Sequence, residues 1–342
     1  MGSTSGKLGV GVVGFGYWGP NLARNFNEAP GAELVAICDS SEKRRVLAQA
    51  RYPSARATSN FAELLNDPKV HALAIATPVS SHYELVLAAL RAGKHVLVEK
   101  PLTTSAEQGQ RLVDEAEKRK LVLLVDHTFV YTGAVRKIKE LVSGGKLGQI
   151  YYYDSVRVNL GLFQHDVNVL WDLAVHDLSI MDFVLDARPT AVSATGMSHV
   201  QGEPENIAFM TLFFEGNLVA HIHVNWLAPV KVRRTLIGGS QQMIVYDDLE
   251  PSEKIKLYDK GINVATNQES VYHMLVSYRT GDMWAPNLDS TEGLRTEAAH
   301  FVRCVQGGDR PLSGGEAGLR VVKILEAATR SMKEHGQPVP LP

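Results

Sequence analysis

A glycine-rich turn between an apolar run and a helical pattern constrains the fold of this chain more than any other feature. The turn follows the run LGVGVV and comprises Gly14, Phe15, Gly16, Tyr17, Trp18 and Gly19. Gly14 permits a tight turn, Gly16 lets backbone amides approach a phosphate, and Gly19 lets the helix pack on the strand. The unpaired N–H groups at the start of the helix favour an anionic ligand. The spacing therefore predicts a dinucleotide site lined by all six residues, the alternative being a glycine turn without a ligand.

Four further apolar runs repeat the strand pattern along the first third of the chain, with helical patterns between them. They read ELVAICD, HALAIATP, HVLVEKP and LVLLVDH. Continuous apolar runs are typical of strands that are buried on both faces of a parallel sheet. Residues 7–127 are therefore predicted to form an α/β Rossmann domain.

The pattern changes after this domain. Period-two alternation with glycine-containing turns favours an antiparallel sheet that has one covered face, and a helical pattern over 169–185 interrupts it. Residues 128–312 are thus predicted to form an α+β domain. A last helix is predicted over 313–335. Its apolar face can pack on either domain, and we expect it to pack back on the first.

Length, charge and cysteine content narrow the class of protein. The 342 residues suit two domains, and the formal net charge of −2 provides no broad basic surface for nucleic acid or an anionic membrane. No apolar run is long enough to span a bilayer, and the first residues, MGSTSGK, lack the apolar segment of a signal peptide. Cys38 and Cys304 do not have the spacing of a metal site or a disulfide. We expect a cytoplasmic protein without a metal ion.

The end of the second strand bears on the choice of dinucleotide. Asp39 stands there, and a carboxylate at this position accepts hydrogen bonds from the ribose hydroxyls of NAD and repels the 2′-phosphate of NADP. Ser40 and Arg44 follow closely, and Arg44 beside a rotated Asp39 would hold that phosphate instead. NAD is therefore predicted, with NADP as the alternative. Asp39 can also serve as a helix N-cap.

Two further strand ends carry residues that suit a cofactor site. Thr77 and Pro78 end the third strand, with His82 just beyond, and Glu99 and Lys100 end the fourth. In open α/β sheets ligands bind at the carboxyl ends of the strands, so we expect these five residues to border the cofactor. His82 has the alternative role of a helix-start residue.

Lys100 lies in the triplet EKP, where the sheet would direct it toward a nicotinamide ring. A partly desolvated ammonium group can hydrogen-bond a substrate hydroxyl and transfer a proton. Pro101 makes the turn rigid and is a candidate for a cis peptide bond. Outside this context, a solvated surface lysine would be the default interpretation.

These motifs occur in one order along nearly the whole chain. They are GFGYWG, the acid-ended ICD, ATP-x-x-x-H, EKP, a later D-x-x-x-H helix and the C-terminal pattern HFVRCVQGGDRPLSGGEAGLRVVKILEAA. This order resembles the Gfo/Idh/MocA family, the relatives of glucose–fructose oxidoreductase and inositol dehydrogenase. The resemblance implies a Rossmann domain followed by an α+β domain with a large open, mostly antiparallel sheet. It also implies hydride transfer between a nicotinamide ring and a sugar or cyclitol carbon.

The resemblance assigns roles to three residues. Lys100 matches the catalytic lysine of the family, and Asp172 and His176 match its D-x-x-x-H motif. Their spacing of four places Asp172 and His176 on one helix face. Histidine then takes the hydroxyl proton as general base, Lys100 polarises the same oxygen, and Asp172 orients substrate or base. A helix salt-bridge pair is the alternative, and Ala174 stands where family members often carry glycine.

A polar stretch precedes this helix and would suit a sugar, which needs several donors and acceptors. It contains Arg157, Asn159, Gln164, His165, Asp166 and Asn168. Arg157 and Asn159 are predicted to bind substrate, with a structural role as the alternative for Arg157. His127 and Tyr131 are further candidates, whereas His221 and His223 are interpreted as sheet residues.

The function expected from these features is an NAD(P)-dependent dehydrogenase of a sugar, cyclitol or nucleotide sugar. One alternative is an NADPH-dependent ketosugar reductase. Another is a sensor that binds a nicotinamide nucleotide but has lost catalysis, although Lys100, Asp172 and His176 argue against it. Because the family assembles through the exposed sheet face, a homodimer or homotetramer is expected.

Overall fold

The computed structural model describes residues 6–161, 167–259, 261–264, 276–279 and 281–342. Gln164, His165 and Asp166 of the predicted polar stretch, and the first five residues of the polar N-terminal segment, lie outside these ranges. The chain divides into two compact units. The first contains residues 1–132 and 291–323, and the second contains residues 133–290 and 324–342.

The first unit is built on a six-stranded parallel sheet in the order β3-β2-β1-β4-β5-β6. Its strands are β1 Leu8–Val13, β2 Ala32–Cys38, β3 Arg56–Thr58, β4 Ala72–Ile75, β5 His95–Glu99 and β6 Leu123–Asp126. Its helices before residue 132 are α1 Gly19–Glu28, α2 Glu42–Arg51, α3 Phe61–Asn66, α4 His82–Arg91 and α5 Ala106–Arg119. The predicted Rossmann domain is confirmed, and the short β3 adds a strand that its polar sequence did not predict.

The apolar runs form strands because both faces of the sheet are covered. All residues of β1, β4 and β6 are buried, as a parallel sheet between two helical layers requires. Two single 3₁₀ turns follow strands of this sheet, at Val79–Ser81 and Thr128–Tyr131.

A later segment of the chain belongs to this first unit, where the sequence analysis placed residues 291–312 in the second domain. Helix α8, Gly293–Val305, packs on α1, with the rings of Phe26 and Phe301 edge to face at 5.8 Å. Arg24 donates two hydrogen bonds to Glu292. The apolar period of α8 indicates a covered face but does not indicate which unit covers it.

The second unit is built on a nine-stranded sheet in the order β16-β13-β12-β11-β7-β10-β9-β8-β17. Only the β7–β10 pair among these is parallel, which confirms the predicted large, mostly antiparallel sheet. The strands are β7 Ile150–Val158, β8 Pro189–Met197, β9 Ile207–Phe214, β10 Val219–Asn225, β11 Val232–Gly239, β12 Met243–Asp247, β13 Ile255–Tyr258, β16 Met283–Trp284 and β17 Val339–Pro340. Strands β14 Gly261–Val264 and β15 Val276–Arg279 form a separate hairpin.

Alternation along the central strands separates a buried face from an exposed one. In β9 the residues Ala208, Met210 and Leu212 are fully buried, whereas Phe209 and Phe213 retain 40% and 38% of their exposure. This is the period-two pattern that the sequence predicted. It leaves aromatic side chains on the outer face of the sheet.

Among its described residues, the second unit has two helical segments before its last helix. These are α6 Gly133–Ser143 and a segment in which the five-residue π-helix Leu170–Ala174 leads into α7 Val175–Val184. The last helix, α9 Gly315–Lys333, was predicted to pack on the first domain. Its residues to Lys323 belong to the first unit, and those from Ile324 belong to the second. Within the described parts of the chain, every helix is too short or too polar to span a bilayer.

Candidate active site

The glycine turn has the geometry that its first and last glycines predict. Gly14 has a φ of +90°, and a Cβ there would lie 2.5 Å from the carbonyl oxygen of Ala76 at the end of β4. A Cβ at Gly19 would lie 2.0 Å from the Gly14 carbonyl oxygen. Neither position accepts a side chain, so strand, turn and helix are held in close contact.

Gly16 differs, because the protein itself leaves room there for a Cβ. The nearest atom to such a Cβ would be Arg44 Nη1, at 3.5 Å, which is ordinary contact. A glycine that the protein's own packing does not require is expected where the protein backbone must closely approach a bound ligand. Helix α1 begins next to it with Trp18 as N-cap and without a side-chain capping bond, so its first N–H groups suit a pyrophosphate. The turn therefore fits the predicted dinucleotide.

Asp39 is buried and holds the glycine turn. Its Oδ2 accepts from the Phe15 N–H at 2.6 Å and its Oδ1 accepts from the Ser41 N–H at 2.8 Å. Arg44 Nη1 lies 3.7 Å from Oδ2, and Ser40 is exposed. The N-cap of α2 is Ser41, so the alternative role of Asp39 as N-cap is wrong. Asp39 and Arg44 thus stand together at the end of β2, where the ribose is expected.

The aromatic residues of the turn have different surroundings. The Phe15 ring is buried edge to face against Tyr52, so only its backbone is available to a ligand. Tyr17 is 92% exposed. The Trp18 indole donates to Asp126 Oδ2 at 2.8 Å, which ties the turn to the end of β6.

His82 is fully buried and bridges two strand-end turns. Its Nε2 lies 2.9 Å from the Thr77 carbonyl oxygen, and its Nδ1 lies 2.9 Å from the Pro101 carbonyl oxygen. Burial lowers the pKa of the ring, against the three backbone carbonyls that raise it. The prediction that His82 contacts the cofactor is therefore wrong for its side chain, which instead joins the Thr77–Pro78 turn to the EKP turn. Thr77 Oγ1 accepts from Ser81, and Pro78 is exposed.

Three carboxyl groups are buried together behind the EKP turn. Asp126, whose strand pairs with that of Glu99, lies close enough to Glu99 and to Glu297 of α8 to act on both electrostatically. Burial raises the pKa of Glu99 and of Glu297 well above the usual range, and the Asp126 charge raises both further. The Glu99 side chain thus faces this cluster, and only the backbone of Glu99 remains a candidate for contact with the cofactor.

Lys100 follows Glu99 directly and is half-buried at the carboxyl end of β5. Its backbone N–H donates to Glu99 Oε2 at 3.1 Å. The peptide bond to Pro101 is cis, as the sequence indicated. The turn thus has its backbone fixed from two sides, by the Glu99 carboxyl and by His82.

In the second unit, Asp172 and His176 share the accessible side of their helical segment. From Val169 to Met181 they are the two residues that are not buried. The Trp226 indole donates to Asp172 Oδ2 at 3.1 Å. The segment starts at Asn168, whose Oδ1 accepts from the Leu170 and Trp171 N–H groups. Asn168 therefore has a structural role.

Arg157 is not available to a substrate. Its guanidinium is buried, and its Nε donates to Asp177 Oδ2 at 2.6 Å. Arg157 thus has the structural role that was its alternative, and the prediction that it binds substrate is wrong. Asn159, half-buried just after β7, donates its backbone N–H to Asn225 and remains a candidate.

Comparisons with known proteins agree with both units. Residues 8–127 match the model of the oxidoreductase family with an NAD-binding Rossmann fold, and residues 135–245 match that of the GFO/IDH/MocA C-terminal domain. The chain belongs to the GFO/IDH/MocA oxidoreductase family. Family membership makes it an NAD(P)-binding oxidoreductase, as the motif order predicted.

Relatives within the GFO/IDH/MocA family have related activities. The chain is 27% identical to scyllo-inositol 2-dehydrogenase (NADP(+)) of Bacillus subtilis, over 96% of this chain and 93% of that protein. It is 28% identical to UDP-N-acetylglucosamine 3-dehydrogenase of Acidithiobacillus ferrooxidans, over 92% and 93%. A Bordetella pertussis dehydrogenase, solved with NADH and UDP-GlcNAcA, has the same fold, with a TM-score of 0.84 at 21% identity over 99% of both chains.

Several residues of this GFO/IDH/MocA chain were missed by the sequence analysis. Asp126 ends the fifth strand as Glu99 ends the fourth, so the strand-end rule that found Glu99 would have found it. Glu297 and Trp226 carry no local signal, since each is defined by a distant partner. The candidates His127 and Tyr131 are buried, with the Tyr131 hydroxyl 3.1 Å from Ser313 Oγ. No group of ligating side chains among the described residues is arranged for a metal ion.

The carboxyl cluster predicts a stability that falls as the pH rises. The folded state keeps protons on Glu99 and Glu297 that the unfolded chain releases above about pH 4.3. Each such carboxyl then costs up to about 1.4 kcal/mol of unfolding free energy per pH unit, until the raised pKa is reached. Glu297→Gln keeps the size and polarity of the side chain but has no carboxyl group to ionise. We expect its stability advantage over the unmutated protein, measured by urea unfolding, to grow from about pH 5 to about pH 8.

The exposed Glu117→Gln serves as the control for this measurement. A Glu297→Gln advantage that stays constant with pH would show that the buried carboxyls do not hold protons in the folded state.

Proposed function

We propose that this protein transfers hydride between a nicotinamide nucleotide and a secondary alcohol or ketone of a sugar, cyclitol or nucleotide sugar. The observation that carries the proposal is a lysine at the end of β5 in a dinucleotide fold, in a chain that also presents Asp172 and His176 on one accessible helix face. The relatives named above act on a cyclitol and a nucleotide sugar, which supports this substrate class.

The proposed oxidation removes two hydrogens from the alcohol, one from carbon as a hydride and one from the hydroxyl oxygen as a proton. A bound nicotinamide ring would supply the acceptor for the hydride that leaves the carbon with its electron pair. His176 takes the hydroxyl proton, because imidazole is the side chain best suited to exchange protons at neutral pH. Lys100 donates a hydrogen bond to the same oxygen and stabilises its developing negative charge. Asp172, held by the Trp226 indole, orients the base or the substrate.

Of two alternative functions, one uses the same catalytic residues and the other involves no catalysis. A ketosugar reductase uses the same residues in the opposite direction, with His176 returning the proton to oxygen. A catalytically silent sensor would bind the nucleotide without turnover. We favour the dehydrogenase or reductase, because a sensor has no need for Lys100, Asp172 and His176 together.

Replacement of the two proposed catalytic residues distinguishes these functions. Lys100→Met and His176→Asn are each expected to lower kcat by about 100-fold to 10,000-fold, the usual contribution of a positioned proton-transfer group. The affinity for NADH, measured by fluorescence titration, is expected to change less than about threefold, because Lys100 and His176 act on the substrate. The assay is absorbance at 340 nm with a panel of sugars and cyclitols.

The exposed Lys118→Met is the matched control and should retain full activity. Wild-type turnover in Lys100→Met would remove the lysine from the mechanism. Nucleotide binding without turnover on the whole panel would favour the sensor.

For the nucleotide, we propose NAD as the preferred cofactor with NADP accepted through Arg44. Asp39 supports NAD, while the Arg44 guanidinium beside it is half-exposed and within reach of a 2′-phosphate. Arg44→Ala is expected to raise the KM for NADP by about 10-fold to 100-fold, as for loss of a charge-assisted hydrogen bond. The KM for NAD should change less than about threefold. Equal effects on both cofactors, measured in parallel assays, would contradict the role of Arg44.

We also propose a cytoplasmic homodimer or homotetramer that assembles through the outer face of the sheet. Phe213 and Val219 face each other across β9 and β10 and are 38% and 40% exposed, as in an interface between copies. The buried free thiols of Cys38 and Cys304 suit a reducing compartment. Phe213→Asp is expected to yield monomers in light scattering after size exclusion, because a charge cannot be buried unpaired there. An unchanged mass would place the interface elsewhere.

A further inference from the structure

A buried ion pair lies directly under the helix that carries the proposed base. Asp177 follows His176, and its carboxylate accepts three hydrogen bonds. Ser155 Oγ donates to Oδ1 at 2.6 Å, and Arg157 donates from Nε to Oδ2 at 2.6 Å and from Nη2 to Oδ1 at 3.3 Å. The Arg157 and Asp177 side chains are each 3% exposed. Helix α7 is thus bonded through its third residue to strand β7.

Stability alone does not explain such a pair. Removing two charges from water costs about as much as their attraction returns, so apolar residues of similar size would hold the helix as well. Charged pairs that persist in cores are best attested where they fix one arrangement among several. The bidentate geometry of arginine on carboxylate adds that directional specificity.

The helix needs its rotation fixed, because its first part is irregular. The π-helix Leu170–Ala174 inserts extra residues into the turn before α7 and shifts the direction of the side chains that follow. Asp177 points into the sheet, whereas His176 remains on the accessible side. The Tyr153 hydroxyl donates to the Asp177 carbonyl oxygen, and Ser179 Oγ donates to that of His176. These bonds engage the two carbonyl groups that directly follow the His176 side chain.

We propose that the Arg157–Asp177 pair is a positioning element that sets the orientation and the electrostatic surroundings of the His176 imidazole. This inference rests on the proposed function for its catalytic consequence, but its structural part does not depend on it. Arg157 and Asp177 touch neither substrate nor cofactor and act only through His176.

The charges that face the pair come from strands β11 and β12 and from the loop between β12 and β13. Asp248 and the Tyr246 hydroxyl act on Arg157, and Asp248 is itself bonded to Arg233 and paired with Lys254. On the helix, Asp172 is the carboxylate one turn before His176. Because the remaining groups stay in place, removing one partner of the pair leaves one uncompensated charge next to His176. Loss of Arg157 leaves a negative charge, and loss of Asp177 leaves a positive one.

The test is a double-mutant cycle with two readouts on the full-length protein. Arg157→Met, Asp177→Asn and the double variant are titrated by NMR, following the His176 imidazole signals assigned through His176→Asn. Arg157→Met is expected to raise the pKa of His176 and Asp177→Asn to lower it, each by about 0.5 to 1 unit. The double variant should lie between them. The acid limb of kcat against pH should shift in the same two directions, with kcat lowered about 10-fold to 100-fold in the single variants.

A matched control and a second variant keep the test decisive. Arg188→Met removes the more exposed pair with Asp182 on the same helix and should leave both readouts unchanged. If Arg157→Met does not fold, Arg157→Lys serves as the second variant, because it keeps the positive charge but loses the bidentate hydrogen bonding to Asp177. We expect Arg157→Lys to preserve the pKa of His176 and still to lower kcat. The sign of the Asp177→Asn shift then tests the electrostatic part.

Shifts that are absent, or that have the same sign in both single variants, would overturn the inference and reduce the pair to a structural role. Opposite shifts in the NMR titration with an unmoved pH–rate profile would instead support the pair as a positioning element. That second result would remove His176 as the base in the proposed mechanism.

Discussion

The parallel hydrogen-bond ladder of the first unit is the constraint on which its cofactor site depends. Val13 pairs with Ile75, Ile75 pairs with Val98, and Glu99 pairs with Asp126. Because parallel strands end at the same edge, the glycine turn, the Thr77–Pro78 turn and Lys100 follow neighbouring strands. Residues that are far apart in sequence are thereby brought to one edge before any side chain contributes.

Buried polar side chains fix the turns and the helix that carry the candidate site residues. Asp39 holds the glycine turn by its carboxylate, His82 joins two turns through backbone carbonyls, and Arg157 holds the residue after His176. Each of these polar groups is buried, and such burial is favourable only when hydrogen-bonding partners are supplied. The proposed catalytic residues Lys100, Asp172 and His176 remain partly accessible, whereas Asp39, His82 and Arg157 are enclosed.

Much of the fold and part of the site could be predicted from the chain alone. Strand–helix alternation, the glycine spacing and EKP are local patterns, and they led to the Rossmann sheet, to Gly14 and Gly19 where no side chain fits, and to Lys100 at a strand end. The roles of His82 and Arg157 were mispredicted because a local pattern does not identify the distant partner of a side chain. The sequence around a histidine or arginine does not show whether its side chain binds a ligand or a buried carbonyl or carboxylate of the protein.

The sequence by itself determined which elements form, their order and the residue types available for hydride-transfer chemistry, because backbone geometry and apolar periodicity act over a few neighbouring residues. Only the tertiary structure decided that Glu297 lies with Asp126 and Glu99 in a buried carboxyl cluster, that α8 packs on the first unit, and that Asp177 is paired with Arg157. These contacts join residues 20 to more than 150 positions apart. Their energies depend on burial and on the partner that each polar group meets, and neither quantity is written in the local pattern of the chain.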